Sequence, residues 1–305
     1  KSYAKKVGYK ANSQASFLRS QKSKTIGVII PDITNPFFTK ILKAIMTEAH
    51  KNNYSIILGN SKESFSLEEK LVNQFLQQKV DGILMSLAND TSQYKHLENI
   101  LADDTILVLF DKVAKLINCS KVFVDDKDGG FKATEYLIKK GCTKIAHFRG
   151  ELNPQNSIDR YLGYREALSI NKISFDPNKV LISSSGSIEQ GYILAKKLFE
   201  SGIEIDGLFC ITDTVALGAM TFFKEQKIDI PNEISVIGFS NTMFGNIVHP
   251  SLSTIDQKAS KIGAEAMRIF LSEEKMLKTE NRLENQSLVL KTKLIKREST
   301  QKILS

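Results

Sequence analysis

The fold is decided by residues 25–38, which read TIGVIIPDITNPFF. Thr25–Ile30 is a short run of mostly β-branched residues, a composition that favours a buried strand. From Phe37 onward apolar residues recur at the spacing of a helix, with polar side chains off the stripe. The stripe consists of Phe37, Phe38, Ile41, Leu42, Ile45, Met46 and Ala49. A buried strand that leads into an amphipathic helix predicts the first half of a strand–helix–strand unit.

The same alternation of strands and helices continues along the chain. Further strands are predicted at Ser55–Leu58, Gly82–Met85, Ile106–Phe110, Lys121–Val124, Lys144–Phe148, Val180–Ile182, Gly207–Ile211 and Ser235–Phe239. Further helices are predicted at Leu67–Gln78, Lys127–Lys139, Ile158–Leu168, Ile188–Glu200, Thr214–Gln226 and Ala259–Leu271. Such repeats form parallel sheets with helices on both faces. The sequence therefore predicts an α/β fold of two doubly wound lobes, with the first crossing near residues 125–128.

Length and composition exclude several classes of protein. At 305 residues the chain suits about two domains, and no apolar run approaches the roughly 18 residues of a membrane-spanning helix. Its cysteines, Cys119, Cys142 and Cys210, lie far apart without a CxxC pair, so we expect small buried hydrophobes in a reducing, cytoplasmic compartment. No membrane partner is expected. Because the chain begins at Lys1 without Met, we expect it to be part of a longer protein.

The first 24 residues are strongly basic. They contain seven Lys or Arg and no Asp or Glu, whereas the rest of the chain is nearly neutral. A basic segment attached to a nearly neutral globular region is typical of a protein that binds a polyanion such as DNA. Lys and Arg contacts to DNA phosphates release counterions and so favour binding. The alternative is a solvated, Lys-rich linker.

Two adjacent stretches resemble one known family. Val7-Gly8-Tyr9-Lys10-Ala11-Asn12, followed by Ala15, Leu18, Arg19 and Ser20, resembles the end of the DNA-reading headpiece and the hinge helix of the lactose/galactose repressor (LacI/GalR) family. Residues 25–38 resemble the first strand and turn of that family's effector domain. Further matches follow in order at residues 80–83, 125–138, 141–146, 160–164, 212–218, 230–239, 250–255 and 297–299.

The resemblance implies a transcriptional regulator with a type I periplasmic-binding-protein-like core. Three crossovers would join the two lobes. Residues 1–24 would hold the headpiece end and a short helical hinge, 25–126 and 258–285 the N-terminal lobe, and 127–257 and 286–305 the C-terminal lobe. A homodimer would bind a palindromic operator, and a small effector between the lobes, a sugar or a sugar derivative, would alter DNA affinity.

The hinge carries the expected DNA contacts, which are Tyr9, Asn12, Ala15, Leu18 and Arg19. Asn12 suits a helix N-cap, but a helix this short is unstable alone and should fold only on DNA. In the family, the residue that matches Leu18 wedges into the minor groove and kinks the duplex. The helix-turn-helix that would read bases is not in this chain.

Strand ends and the resemblance together indicate an effector site, because ligands of such sheets bind beyond the carboxyl ends of the strands. The expected contacts are Phe37, Phe38, Ser86, Asp111, Arg160, Thr212, Asp213, Ser240 and Gln257. Arg160 matches the family's effector arginine, whose guanidinium suits two hydroxyls or a carboxylate; the alternative is an ion pair with Asp159 or with another residue of the lobe. Asp111 would accept hydrogen bonds from sugar hydroxyls, or would be a loop or N-cap carboxylate. Ser86 and Gln257 occupy contact positions of the family.

Several expected contacts have a competing structural role. One of Phe37 and Phe38 would stack on a sugar or base, or both would belong to the core. Thr212 and Asp213 would face the ligand or cap the following helix. Ser240 stands where the family commonly has an aspartate that accepts from hydroxyls.

Catalytic motifs are missing from the sequence. It contains no GxGxxG, GxxxxGK[ST], HExxH or GxSxG pattern, and its four His are scattered. We therefore expect no enzyme, no cofactor and no metal. A solute-binding protein is the alternative function, since it would share the core but would not need the basic hinge.

Overall fold

The computed structural model describes residues 22–103, 105–280 and 284–301. The predicted hinge contacts Tyr9, Asn12, Ala15, Leu18 and Arg19 lie outside the described residues. Within the described ranges the chain forms two six-stranded sheets, each with its own helices. The predicted α/β fold of two doubly wound lobes is confirmed.

Strands and helices alternate along most of the chain. In chain order the elements are β1 (Thr25–Ile30), α1 (Pro36–Lys51), β2 (Ser55–Asn60), α2 (Phe65–Gln77), β3 (Gly82–Met85), α3 (Lys95–Ala102), β4 (Ile106–Phe110), β5 (Ser120–Val124), α4 (Asp126–Lys139), β6 (Ile145–Arg149), α5 (Gln155–Ile170), β7 (Val180–Ile182), α6 (Ile188–Glu200), β8 (Gly207–Cys210), α7 (Asp213–Glu225), β9 (Ser235–Phe239), α8 (Phe244–Ile247), β10 (Ser253–Asp256), α9 (Ala259–Glu280), β11 (Ser287–Leu290) and β12 (Lys293–Ile295).

Each sheet is covered on both faces. The first has the strand order β11-β5-β4-β3-β1-β2, with every pair parallel. Ile26, Val28 and Ile30 of β1 pack with α1 and α9, whereas Ile29 packs with α2 and α3. The second sheet has the order β12-β10-β9-β8-β6-β7, and only the β10–β12 pair is antiparallel. Helices α6 and α7 cover one of its faces, and α4 and α5 cover the other.

The chain crosses between the sheets after β5, after β10 and after β11. Strand β11 pairs with β5, and Leu288 lies opposite Val122. Ser287–Leu290 therefore belongs to the first sheet, and the predicted boundary after residue 285 placed it in the wrong lobe. The strand was missed because it is short and half-exposed, which leaves no clear apolar run to mark it.

Helix α1 begins as the sequence indicates. The Asn35 side chain accepts a hydrogen bond of 3.0 Å from the Phe37 backbone N–H, and Pro36 occupies the first helical turn. The predicted stripe is buried against the first sheet at Phe37, Phe38, Ile41, Ile45 and Ala49. Its edge differs from the prediction, since Leu42 is half-buried and Met46 is exposed.

Helices α4 and α5 touch backbone to backbone. A Cβ placed on Gly163 would lie 2.1 Å from the Lys127 carbonyl oxygen, and one on Gly130 would lie 2.3 Å from the Arg160 carbonyl oxygen. No side chain fits either position without moving a helix. This contact fixes the position of Arg160 relative to the chain crossing that follows β5.

Replacing Gly163 by alanine is expected to lower the free energy of unfolding by about 1–3 kcal/mol, because overpacking outweighs the better helix propensity of alanine. Gly186→Ala is the matched control, since nothing lies within 4 Å of its added Cβ. Urea unfolding of both variants tests this prediction. Equal stabilities would mean that the two helices separate easily.

The described helices include none that is long and apolar enough to cross a membrane. Cys119, Cys142 and Cys210 are buried and form no disulfide with one another, as expected of small hydrophobic side chains.

Candidate ligand-binding cleft

A cavity lies between the two lobes, at the carboxyl ends of the strands. The first lobe lines it with Asn35, Phe37, Phe38, Glu63, Asn89, Asp111 and Lys112. The second lobe and the β10 crossing line it with Gly150, Glu151, Pro154, Asn156, Ser157, Arg160, Ser183, Ser185, Gly186, Ile211, Thr212, Ser240 and Gln257. Seven of the nine predicted effector contacts therefore meet in one place. Parallel sheets bring them together because their strand ends share one edge.

Arg160 is held firmly in the wall of this cavity. Its Nε donates to Asp126 Oδ1 at 2.8 Å, and its Nη1 donates to the Ile211 carbonyl at 2.9 Å. The guanidinium carbon lies 3.7 Å from the centroid of the Phe239 ring. Its ion pair is thus with Asp126 and not with Asp159, which instead pairs with Lys115 at 3.1 Å. These contacts fix the guanidinium of Arg160 at the cavity wall.

Asp111 is a buried carboxylate that the first lobe directs into the cavity. Its backbone is left-handed, with φ of 58°, and the residue is only 6% exposed. The closest hydrogen bond to its carboxylate comes from Gln257 Nε2 at 3.5 Å. Burial raises the pKa of Asp111 to about 6, although Arg160 and Lys112 oppose the shift. This side chain therefore has unused acceptor capacity for a bound ligand.

Ser240 and Gln257 join β9 to the second crossing. The Ser240 hydroxyl donates to Gln257 Oε1 at 2.9 Å, and the Ser240 N–H donates to the Ile255 carbonyl at 2.8 Å. Ser240 has φ of 123° and Asn241 has φ of 52°, so a strained turn places the hydroxyl at the cavity.

Phe37, Phe38 and Thr212 line the cavity and also have a structural role in the fold. Phe37 and Phe38 line the cavity and are also buried in the first core, with their rings edge to face at 5.3 Å. Thr212 lines the cavity while its hydroxyl accepts from the Val215 N–H and caps α7.

Two expected contacts do not line the cavity. Asp213 is fully buried, and its carboxylate accepts from the Thr242 N–H at 2.6 Å and from Thr254 Oγ1 at 2.5 Å. It ties the start of α7 to the loop after β9 and to strand β10. Its position at a helix start in the sequence did not indicate this role. Ser86 is also fully buried, and its hydroxyl accepts from the Lys112 N–H at 3.4 Å. Both side chains make hydrogen bonds within the fold, and their contact with a ligand stays a prediction.

Sequence reasoning missed a charged cluster in the first lobe. Lys112 is 5% exposed, and its Nζ lies 2.5 Å from Glu63 Oε2 and 2.8 Å from Asn89 Oδ1. We call Lys112, Glu63 and Asn89 the lysine cluster. Its three residues follow β4, β2 and β3, so it connects three strand ends. In the sequence, Lys112 looks like any surface lysine that follows a strand. Its partner Glu63 is 49 residues away, so the local pattern does not indicate the ion pair.

No group of three or more His, Cys, Asp or Glu within the described ranges is placed to hold a metal ion. The cavity offers hydrogen-bonding groups and aromatic faces, which suit the binding of an organic molecule.

Comparison with known proteins identifies the chain's relatives. Residues 23–298 match the family model described as periplasmic binding proteins and sugar binding domain of LacI family. The chain belongs to the LacI family. It is 30% identical over 298 residues to the HTH-type transcriptional regulator RegA of Clostridium saccharobutylicum, covering 97% of this chain and 87% of RegA. The structure of the transcription regulator CcpA of Lactococcus lactis is 31% identical, with a TM-score of 0.82 over 91% of this chain and 99% of CcpA.

These LacI-family relatives are transcription regulators, and their fold confirms the predicted periplasmic-binding-protein-like architecture. Catabolite control protein A of Priestia megaterium is 31% identical over 266 residues, covering 87% of this chain and 79% of that protein. The chain is thus a regulator of transcription, and the solute-binding alternative is disfavoured.

Proposed function

We propose that this LacI-family regulator binds a sugar or sugar derivative in the cavity between its lobes, and that binding changes the affinity of a homodimer for operator DNA. One observation carries the proposal. A buried acceptor, Asp111, and a buried donor, Arg160, line the same cavity from different lobes. Sugar hydroxyls both donate and accept, so they satisfy such a pair better than an apolar molecule does.

Relatives support the choice of a sugar. The ribose operon repressor of Halalkalibacterium halodurans is 30% identical over 296 residues, covering 97% of this chain and 85% of that protein. A LacI-family regulator from Enterococcus faecium with bound ribose is 27% identical, with a TM-score of 0.77 over 90% of this chain. Phe37 and Phe38 would provide the apolar face on which a sugar ring packs.

Contacts between the lobes would transmit the effect of the ligand. Lys40 Nζ of the first lobe donates to the Asn241 carbonyl of the second at 2.7 Å. Asn241 follows Ser240 in the strained turn. A ligand bound at Ser240 would therefore shift the contact between Lys40 and Asn241. A change in lobe angle would move the two hinges of the dimer together or apart. The coupling would be an order–disorder switch in the hinge helices.

In this proposal Tyr9, Asn12, Ala15, Leu18 and Arg19 contact the operator, with Leu18 inserted in the minor groove. Residues 25–124 together with α9 and β11 would act as the N-terminal lobe, and the rest of the described core as the C-terminal lobe. Such a regulator would act in the cytoplasm, where its operator lies.

A thermal-shift screen against sugars, sugar phosphates, nucleobases and amino acids tests the proposal. A sugar that binds the native state should raise the melting temperature with concentration, since saturation at about 100 times Kd adds about 2.7 kcal/mol. Selective stabilisation by a nucleobase or an amino acid, with no sugar active, would contradict the sugar assignment.

A further inference from the structure

The lining of the cavity carries more negative than positive side chains. Its acidic members are Glu63, Asp111 and Glu151, and its basic members are Lys112 and Arg160. Asp126, which holds Arg160, adds another carboxylate just behind the wall. An anion entering this space would therefore meet an excess of like charge.

The lysine cluster shows why Lys112 adds little positive charge to the cavity lining. Its ammonium is already paired with Glu63 Oε2 at 2.5 Å, and Asn89 takes a second donor at 2.8 Å. The same carboxylate oxygen also accepts from the Asn89 N–H at 2.9 Å. Lys112 therefore enters the cavity wall as half of a closed ion pair, with little charge left for a ligand.

The backbone around Glu63 supports this arrangement. Lys62 and Glu63 both adopt left-handed conformations, with φ of 52° and 59°. Two such residues in succession are costly without glycine, and strain of this kind collects at functional sites. Here the strained turn places a carboxylate beside Lys112.

Arg160 is compensated in the same way by Asp126, whereas no cation among the described residues lies within hydrogen-bond distance of the Asp111 carboxylate. Asp111 is thus an acceptor that still needs a donor. A neutral hydroxyl or an ammonium on the ligand would donate to it, while a phosphate or carboxylate would be repelled and would lose its hydration.

On the basis of the proposed function, we infer that the effector carries no negative charge. Glu63 masks the charge of Lys112, and Asp126 masks the charge of Arg160. Asp111 then selects a neutral or cationic polyol. Glu63 is then a specificity-determining residue that excludes phosphorylated sugars.

Inorganic phosphate tests the masking of Lys112 without any sugar. It is titrated against the wild type, Glu63→Gln and the double variant Glu63→Gln/Lys112→Met, with chloride at equal ionic strength as the reference. We expect no phosphate-specific shift of the wild-type melting temperature. Glu63→Gln should bind phosphate at least about tenfold more tightly, and the double variant should lose that gain. Phosphate-specific stabilisation of the wild type, or no gain in Glu63→Gln, would overturn the inference.

The second part of the test compares ribose with ribose 5-phosphate, and further neutral sugars with their phosphate esters. The neutral member of a pair should bind the wild type at least about tenfold more tightly than its phosphate ester, and Glu63→Gln should narrow that ratio. Tighter binding of the ester would also overturn the inference. Failure of every sugar to bind would instead refute the proposed function, and the phosphate titration would still decide the inference on charge.

Discussion

Replacing Asp111 by asparagine is expected to stabilise the ligand-free protein and to abolish most of its effector binding. Burial raises the pKa of Asp111 from 3.8 to about 6. An acid with a folded-state pKa above its unfolded value binds its proton more tightly when folded. Its ionised form therefore destabilises the fold above pH 6, and this penalty disappears as the pH falls towards 4. At about 1.4 kcal/mol per pH unit the full penalty is about 3 kcal/mol.

Asparagine removes the buried charge and tolerates the left-handed backbone at this position, where φ is 58°. Near neutral pH, urea unfolding of Asp111→Asn should give a free energy of unfolding about 2 kcal/mol above the wild type, and the gain should shrink as the pH falls through 6. Asp103→Asn is the control, because that carboxylate lies at the surface beside Lys79 and should change stability by less than about 0.5 kcal/mol.

The same substitution should weaken sugar binding, because a neutral amide accepts hydroxyl protons less strongly than a carboxylate does. A loss of about 2 kcal/mol, or about 30-fold in Kd, is expected in calorimetric titrations. An Asp111→Asn protein that is less stable than the wild type, or that binds sugar equally well, would contradict the role given to this carboxylate.

Replacing Arg160 by methionine is expected to cost about 3–5 kcal/mol of stability, because it leaves Asp126 buried and without its ion-pair partner. The guanidinium also covers the Phe239 ring, and that packing would be lost. Urea unfolding measures the loss. Arg165→Met on the exposed face of the same helix is the control, with an expected change of less than about 1 kcal/mol.

A double variant separates the structural role of Arg160 from its effector contact. Arg160→Met/Asp126→Leu removes both charges, so most of the lost stability should return. Effector binding should remain absent, because the donor itself is gone. If the double variant recovered sugar binding, Arg160 would be a positioning residue and not a ligand contact.

Much of the framework could be predicted from local patterns. The apolar runs of β1 and β4 and the stripe of α1 are long enough to show their periodicity and burial. The short strands β10, β11 and β12 contain only three or four residues, and their pairing depends on partners far away in the chain. The third crossing was therefore misplaced.

The candidate site could likewise be predicted only in part. Strand ends led to Asp111, Thr212 and Ser240, because the geometry of a parallel sheet collects strand ends at one edge. The lysine cluster and the capture of Asp213 by Thr242 and Thr254 depend on tertiary contacts, which residue type and spacing do not encode.

The most direct test of ligand-controlled DNA binding is the operator affinity of the full-length regulator, measured by fluorescence anisotropy with and without a saturating sugar from the thermal-shift screen. The wild type should change its operator Kd by about 5- to 150-fold, and Asp111→Asn should show little change at the same sugar concentration. An operator Kd that stays the same while the sugar demonstrably occupies the cavity would contradict the proposed coupling.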